Sequence, residues 1–249
     1  MVVRSTRHGA ASSIHSNSQT IYHMDNRMQD KNAAADQIVV SSRFLYRVFA
    51  ALAVCALGAA ICLGAPTWQG EADRLATLLE WRAGSVVADI GAGDGELTVL
   101  AVKHVGASGK VYSTELDAQK VAHLEELAKR DPSIKVLRAG EADTNLPAGC
   151  CDSIYMRLVY HHLTKPAEID ASLLRALRPG GRLAVIEREP PRGSELVSGV
   201  PKNRQGHGIP QKILIDELTA AGFRVETVQK DWPGSSEGQP LYCVVFKRQ

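Results

Sequence analysis

Hydrophobic positions along this chain follow two rhythms. Beyond residue 66, short apolar runs alternate with stretches in which apolar residues recur every three or four positions. The runs predict strands at residues 85–90, 110–115, 134–138, 153–156, 182–187, 223–228 and 242–246. The stretches between them predict helices at 96–105, 117–129, 166–177 and 211–221. A further helix at 69–81 places Leu75, Leu78 and Leu79 on one face and ends at Gly84. Strands alternating with helices make a mostly parallel, doubly wound sheet with helices on both faces, an α/β fold. Only Asp231-Trp232-Pro233-Gly234-Ser235-Ser236 separates the last two strands. It reads as a polar turn too short for a crossover helix, so these strands are expected to pair antiparallel. Arg178-Pro179-Gly180-Gly181 also reads as a turn.

The chain ahead of Pro66 breaks this pattern. Residues 1–42 are rich in Ser, Asn, Gln, Asp and His with no apolar period, and read as a disordered polar leader. In residues 43–65, Arg43 and Arg47 precede an uncharged stretch that runs from Val48 to Ala65. Such a stretch reaches the lower limit of about 17 to 25 residues for a membrane helix and exceeds the usual export core of about 7 to 15. Half of its positions are Ala or Gly, which weakens insertion, and Gly58 and Ala60 offer a small-residue cleavage site. The segment is therefore expected to be a hydrophobic helix acting as transmembrane anchor or export signal, and 66–249 to be the catalytic domain. Membrane association would run through 43–65, with the domain membrane-anchored or exported, or cytoplasmic if the segment is no signal.

Composition narrows the chemistry. Of 249 residues 45% are hydrophobic and 22% charged, as in globular domains. The leader and hydrophobic segment carry six basic and three acidic residues; the rest carries 23 and 24, with no basic footprint for nucleic acid. Cys55, Cys62, Cys150, Cys151 and Cys243 show no disulfide framework or zinc spacing, so free thiols and no metal are expected. Nothing in the sequence sets an oligomeric state.

Asp89-Ile90-Gly91-Ala92-Gly93-Asp94-Gly95 follows a strand and opens a helix, the place where an open parallel sheet binds nucleotides. The third glycine comes one residue earlier than in the dinucleotide pattern, and Asp89, Asp94 and Glu96 crowd acids where a pyrophosphate would sit. A cationic cofactor tolerates such a loop. Glu115 ends the second strand, and its spacing from Gly91 is close to that of a ribose-binding acid.

On VVADIGAGDGELT (86–98), YSTELD (112–117), LPAGCCDSIYM (146–156), LRPGGRLAVIE (177–187) and AGF (221–223), the sequence resembles the class I S-adenosylmethionine-dependent methyltransferases. The resemblance spans about residues 68–249. It implies a seven-stranded sheet ordered 3-2-1-4-5-7-6 with the last strand antiparallel, and S-adenosylmethionine as cofactor. It also implies that Asp89, Gly91 and Gly93 border the methionine end, that Glu115 holds the ribose, that Glu141 or Asp143 meets the adenine, and that Ala92, Gly95, Leu116 and Ala142 are further cofactor contacts. Glu141 is favoured over Asp143 there, and Arg157 is a further cofactor candidate. Tyr160, His161 and His162 follow the fourth strand beside the expected methyl position, and either histidine suits a general base. The loop 190–210, with Gly206-His207-Gly208, is placed to wall the acceptor. A small-molecule acceptor is the leading expectation. The rivals are a membrane-borne quinone or lipid acceptor, a cofactor-binding module without chemistry, and a dinucleotide oxidoreductase.

Overall fold

The structure is a computed structural model that describes residues 68–236 and 238–249, within one compact unit, Ala65–Gln249. The leader at 1–42 and the hydrophobic segment at 43–65 lie outside the described residues. Among those described, no helix is long and apolar enough to cross a membrane.

The elements run α1 (Trp68–Leu78), β1 (Val86–Ile90), α2 (Glu96–Val105), β2 (Lys110–Glu115), α3 (Ala118–Arg130), β3 (Ile134–Arg138), β4 (Cys151–Arg157), α4 (Pro166–Ala176), β5 (Leu177–Arg188), α5 (Gln211–Ala220), β6 (Phe223–Ser236) and β7 (Gln239–Arg248). Asp117 starts α3 by accepting from the N–H groups of Gln119 and Lys120, and Pro166 starts α4 with a φ already suited to a helix. One sheet orders the strands β3-β2-β1-β4-β5-β7-β6. Pairs from β3 to β5 are parallel, and β7 is antiparallel to β5 and β6. This is the order and polarity expected.

Successive residues of the central strands enter opposite layers, as the pleat requires. Ile154, Met156, Leu183 and Val185 pack with Ile169 and Leu173 of α4 and Leu214 and Leu218 of α5. Tyr155, Ala184 and Ile186 pack with Ala72 and Leu75 of α1 and Leu97, Ala101 and Val105 of α2. Two buried faces explain why these strands read as unbroken apolar runs rather than alternating ones.

Four local expectations are corrected. Residues 231–236 are not a turn but the end of β6, which runs on through register shifts near Gln229, Trp232 and Ser235. An edge strand tolerates Pro233 and Gly234, and Trp232 is buried against the α1 layer. Residues 178–181 fall within β5, whose first residue, Leu177, pairs with Cys151. Asp152, one residue ahead of the strand expected at 153–156, lies in β4, accepting from Val86 N–H (2.7 Å) and from Arg178 Nη1 (2.6 Å). Cys150 and Cys151, expected as free thiols, are paired with each other as a disulfide.

Candidate functional site

Strand order reverses at β1, which has β2 on one side and β4 on the other. The carboxyl ends of these strands part there and leave a crevice. It holds a cleft of about 490 Å³, within the range of small-molecule sites. Gly91, Gly93, Glu115, Leu116, Glu141, Arg157 and His162 line it, with Lys120, Val159, Leu163 and Ile169. A hollow of about 240 Å³ adjoins it under the glycine loop, lined by Asp89, Ala92, Asp94 and Trp68.

The loop is built on glycine for steric reasons. Gly91 has φ +66°, and a Cβ there would sit 2.5 Å from Val159 Cγ2. Val159 is carried there by Leu158, a non-glycine residue at φ +57° whose N–H donates to Ile186 O. Such a conformation costs on the order of 1 to 3 kcal/mol and is typical of functional turns. Gly95 does not face the cleft: its missing Cβ leaves room for Leu127 and Leu124 of α3.

Glu115 closes β2 with its carboxylate turned back onto the loop. Its Oε2 accepts from Gly93 N–H (3.0 Å), and its Oε1 accepts from the N–H groups of Leu116 (2.8 Å) and Asp117 (3.3 Å). A carboxylate has about four acceptor sites, so one on Oε2 stays open for a ligand hydroxyl. Asp89 is buried at the end of β1 and accepts from Thr98 Oγ1 at 2.7 Å. Burial pushes its carboxyl up from 3.8 to about 6, and the nearby Glu115 and Glu96 charges add to the rise.

At the adenine end, Glu141 borders the cleft with a largely exposed side chain, and Lys165 is 4.0 Å away. Ala142 and Asp143 do not border it. Asp143 instead takes Arg175 Nη2 on both oxygens at 2.8 Å and Asn145 N–H at 2.8 Å, which hold its carboxyl low. Arg157 reaches the cleft wall, with its Nε donating to both Glu71 oxygens (2.8 and 3.0 Å) and its guanidinium carbon 4.5 Å from the Trp68 ring centroid. Glu71, itself buried, also accepts from Trp232 Nε1 at 2.8 Å.

The three candidates after β4 part company. Tyr160 turns into the core, with its hydroxyl 2.9 Å from Asp170 Oδ2 and 3.0 Å from Glu217 Oε2. One hydroxyl proton cannot satisfy two carboxylates. Burial, with the Glu217 charge adding to it, pushes Asp170 up to about 7. His161 is buried, its Nδ1 2.8 Å from Glu187 Oε2 while Glu187 Oε1 accepts the His161 N–H at 3.1 Å. The acceptor on Nδ1 fixes the ring proton there and leaves the lone pair on Nε2, which has no partner. His162 lines the cleft, and burial, with His161 and His207 beside it, lowers its pKa to about 4.

Sequence reasoning gave no role to Glu187 or Lys120. An acid at the carboxyl end of a buried central strand was a usable signal for Glu187; none marked Lys120, whose Nζ lies over Gly93.

Residues 88–185 match the methyltransferase domain family. The chain is 34% identical over 153 residues to the ubiquinone/menaquinone biosynthesis C-methyltransferase UbiE of Marinomonas sp. (strain MWYL1), covering 59% of this chain and 61% of that protein. Across the first three curated relatives it spans 46 to 61% of their length. Among solved structures, a SAM dependent methyltransferase from Aquifex aeolicus superposes with a TM-score of 0.60 at 23% identity, covering 72% of this chain and 89% of that one. The [4+2]-cyclase SpnF superposes with a TM-score of 0.59 at 14% identity, covering 72% and 81%.

Proposed function

We propose that the chain is a class I S-adenosylmethionine-dependent methyltransferase and that it moves a methyl group from S-adenosylmethionine to a small-molecule acceptor. The observation that carries this is the glycine loop bonded through Gly93 N–H to Glu115 at the mouth of a cleft of matching size. The fold alone would not suffice, since the [4+2]-cyclase SpnF shares it.

The residues present fit the cofactor. Glu115 keeps an acceptor site for a ribose hydroxyl, Glu141 borders the far end, and the buried Asp89 carboxyl offers negative charge beneath the loop. When bound, the cofactor supplies an electrophilic methyl on a sulfonium. The protein's part is to align an acceptor with it and exclude water, which Val159, Leu163 and Ile169 favour from the same cleft. His162, neutral at pH 7, holds a lone pair in the cleft that can take a proton from the acceptor's attacking atom. His161 stands behind it, oriented by Glu187.

The acceptor reading extends to a quinol-type ring. The apolar wall supports it, as do the curated relatives named for ubiquinone and menaquinone biosynthesis. We assign residues 66–249 to the catalytic domain, 1–42 to a polar leader and 43–65 to an anchor or export segment, a reading that rests on the basic flank and the uncharged run. Recovery of the expressed chain wholly in the soluble cytoplasmic fraction would overturn the last assignment.

Calorimetric titration with S-adenosylmethionine, its demethylated product and NAD in parallel tests the cofactor. Saturable binding of the first two and none of NAD is expected; the reverse would overturn the proposal. Incubation with hydroquinones and with unrelated small acids, read by mass for an added methyl, then tests the acceptor class.

A further inference from the structure

Behind the cleft, two segments far apart in the chain bring three imidazoles together. His161 and His162 come from the 3-10 turn after β4, and His207 from the loop between β5 and α5. Ring centroids are 4.1 Å apart for His161 and His162, 4.9 Å for His161 and His207, and 5.2 Å for His162 and His207. One nitrogen from each ring lies within 4.8 Å of the other two. We propose that these three histidines form a binding site for a divalent transition metal of the zinc class, opening onto the cofactor cleft.

A stack of three aromatic rings would not by itself mean a metal. The state of His161 makes the difference. Its side chain is almost wholly buried, its Nδ1 is committed to Glu187 at 2.8 Å, and its Nε2 has no hydrogen-bond partner. A buried imidazole nitrogen without a partner is costly, and a carboxylate on the opposite ring nitrogen is the usual support of a metal-ligating histidine. Glu187 is fully buried and also accepts the His161 N–H at 3.1 Å, so both backbone and ring of this ligand are held.

Distances leave little to adjust. Tetrahedral zinc with bonds of about 2.0 to 2.1 Å sets its ligand nitrogens about 3.4 Å apart. From a separation of at most 4.8 Å, the rings need to close by about 1.4 Å or less, within the reach of side-chain rotation at the half-exposed His162 and His207. His207 is tightly registered: a Cβ on the following residue, Gly208, would lie 2.9 Å from Arg188 O and from Pro190 Cα.

Arg188 Nη2 lies 2.9 Å from His207 Nδ1. A metal held by His207 competes with this contact for the ring. Arg188 keeps its bonds to His207 O (3.0 Å) and Ser236 Oγ (2.8 Å). Three imidazole ligands suit zinc, cobalt, nickel or ferrous iron better than magnesium or calcium, and leave a coordination position for water or an acceptor oxygen. The site does not depend on methyl transfer being the reaction; a metal on His162 takes up the lone pair assigned above to proton transfer, so the base role belongs to the metal-free protein.

The test uses the full chain, stripped with a chelator, without cofactor or acceptor, and titrated with Co²⁺ as an optical probe. One Co²⁺ per chain with visible d–d bands, displaced by Zn²⁺, is expected. The His162→Ala/His207→Ala double variant should lose the bands, and Glu187→Gln should keep them with affinity weakened about 10- to 100-fold. Should the double variant fail to fold, His207→Gln alone must still weaken binding. Absent bands in the wild type would overturn the proposal. So would equal affinity in the histidine variants, because His8, His15, His23, His104 and His123 would then be holding the ion.

Discussion

Asp89 joins the stability of the domain to the charge of its ligand. Folding moves its carboxyl from 3.8 to about 6 because the group is removed from water. A raised carboxyl favours the folded state in its neutral form. Its contribution is complete below about pH 4 and is lost as pH climbs through about 6, to a total of about 3 kcal/mol. Asp89→Asn keeps an oxygen for the Thr98 hydroxyl and removes the titration. Urea unfolding at pH 4.5 and pH 7.5 should then show wild-type stability falling by about 2 to 3 kcal/mol relative to the variant. Cofactor binding should run in the opposite direction. A ligand carrying an ammonium and a sulfonium favours the ionised carboxyl, which is only about one-tenth populated at pH 5, so affinity should drop about 10-fold between pH 7.5 and pH 5. In the variant that pH dependence should vanish and the affinity at pH 7.5 should be lower. If calorimetry gave both proteins the same dependence on pH, Asp89 would have no electrostatic part in binding.

Glu115→Ala should weaken S-adenosylmethionine binding by about 1 to 3 kcal/mol, read by titration, and an unchanged dissociation constant would make Glu115 a support for the loop alone. Gly91→Ala should destabilise the domain by about 1 to 3 kcal/mol through its φ and its collision with Val159; Val159→Ala in the same chain should restore part of that loss in thermal melts. Tyr160→Phe leaves Asp170 and Glu217 without their shared donor and should cost about 1 to 3 kcal/mol of stability with turnover per folded molecule unchanged. Lower turnover at full stability would return Tyr160 to the acceptor site. His162→Ala should leave cofactor affinity intact while turnover falls about 100-fold or more, and normal turnover would remove it as the base.

What was legible in the sequence follows from what is local. β1 and the second half of β5 announce themselves because central strands are buried on both faces and read as apolar runs, and the glycine loop does because close approach leaves no alternative residue. Residues 231–236 misled because Pro233, Gly234 and the serines carry turn chemistry, while what keeps them in β6 is remote: Trp232 pairs with Leu241 and is buried against α1. The site divided in the same way. Glu115 is visible through its spacing from Gly91, but the Tyr160 hydroxyl answers to Asp170 and to Glu217, 57 positions on, and His161 to Glu187, 26 positions on. No local window contains those pairs. His207 lay in a loop without periodicity, so its meeting with His161 and His162 had no sequence signature.

The bond from Trp232 Nε1 to Glu71 also sets a clock. The two residues are 161 positions apart, so this bond closes only after the second has been made, and until then α1 is held by Arg157 and by its packing on α2 alone. At a synthesis rate of about 5 to 20 residues per second, that takes about 8 to 32 s. β7, which sits between β5 and β6, arrives later still. Throughout that interval the buried Glu71 carboxylate lacks its indole partner, and the layer that covers α1 is incomplete. Any factor that engages the chain ahead of α1 therefore meets a nascent polypeptide whose α/β domain has not closed.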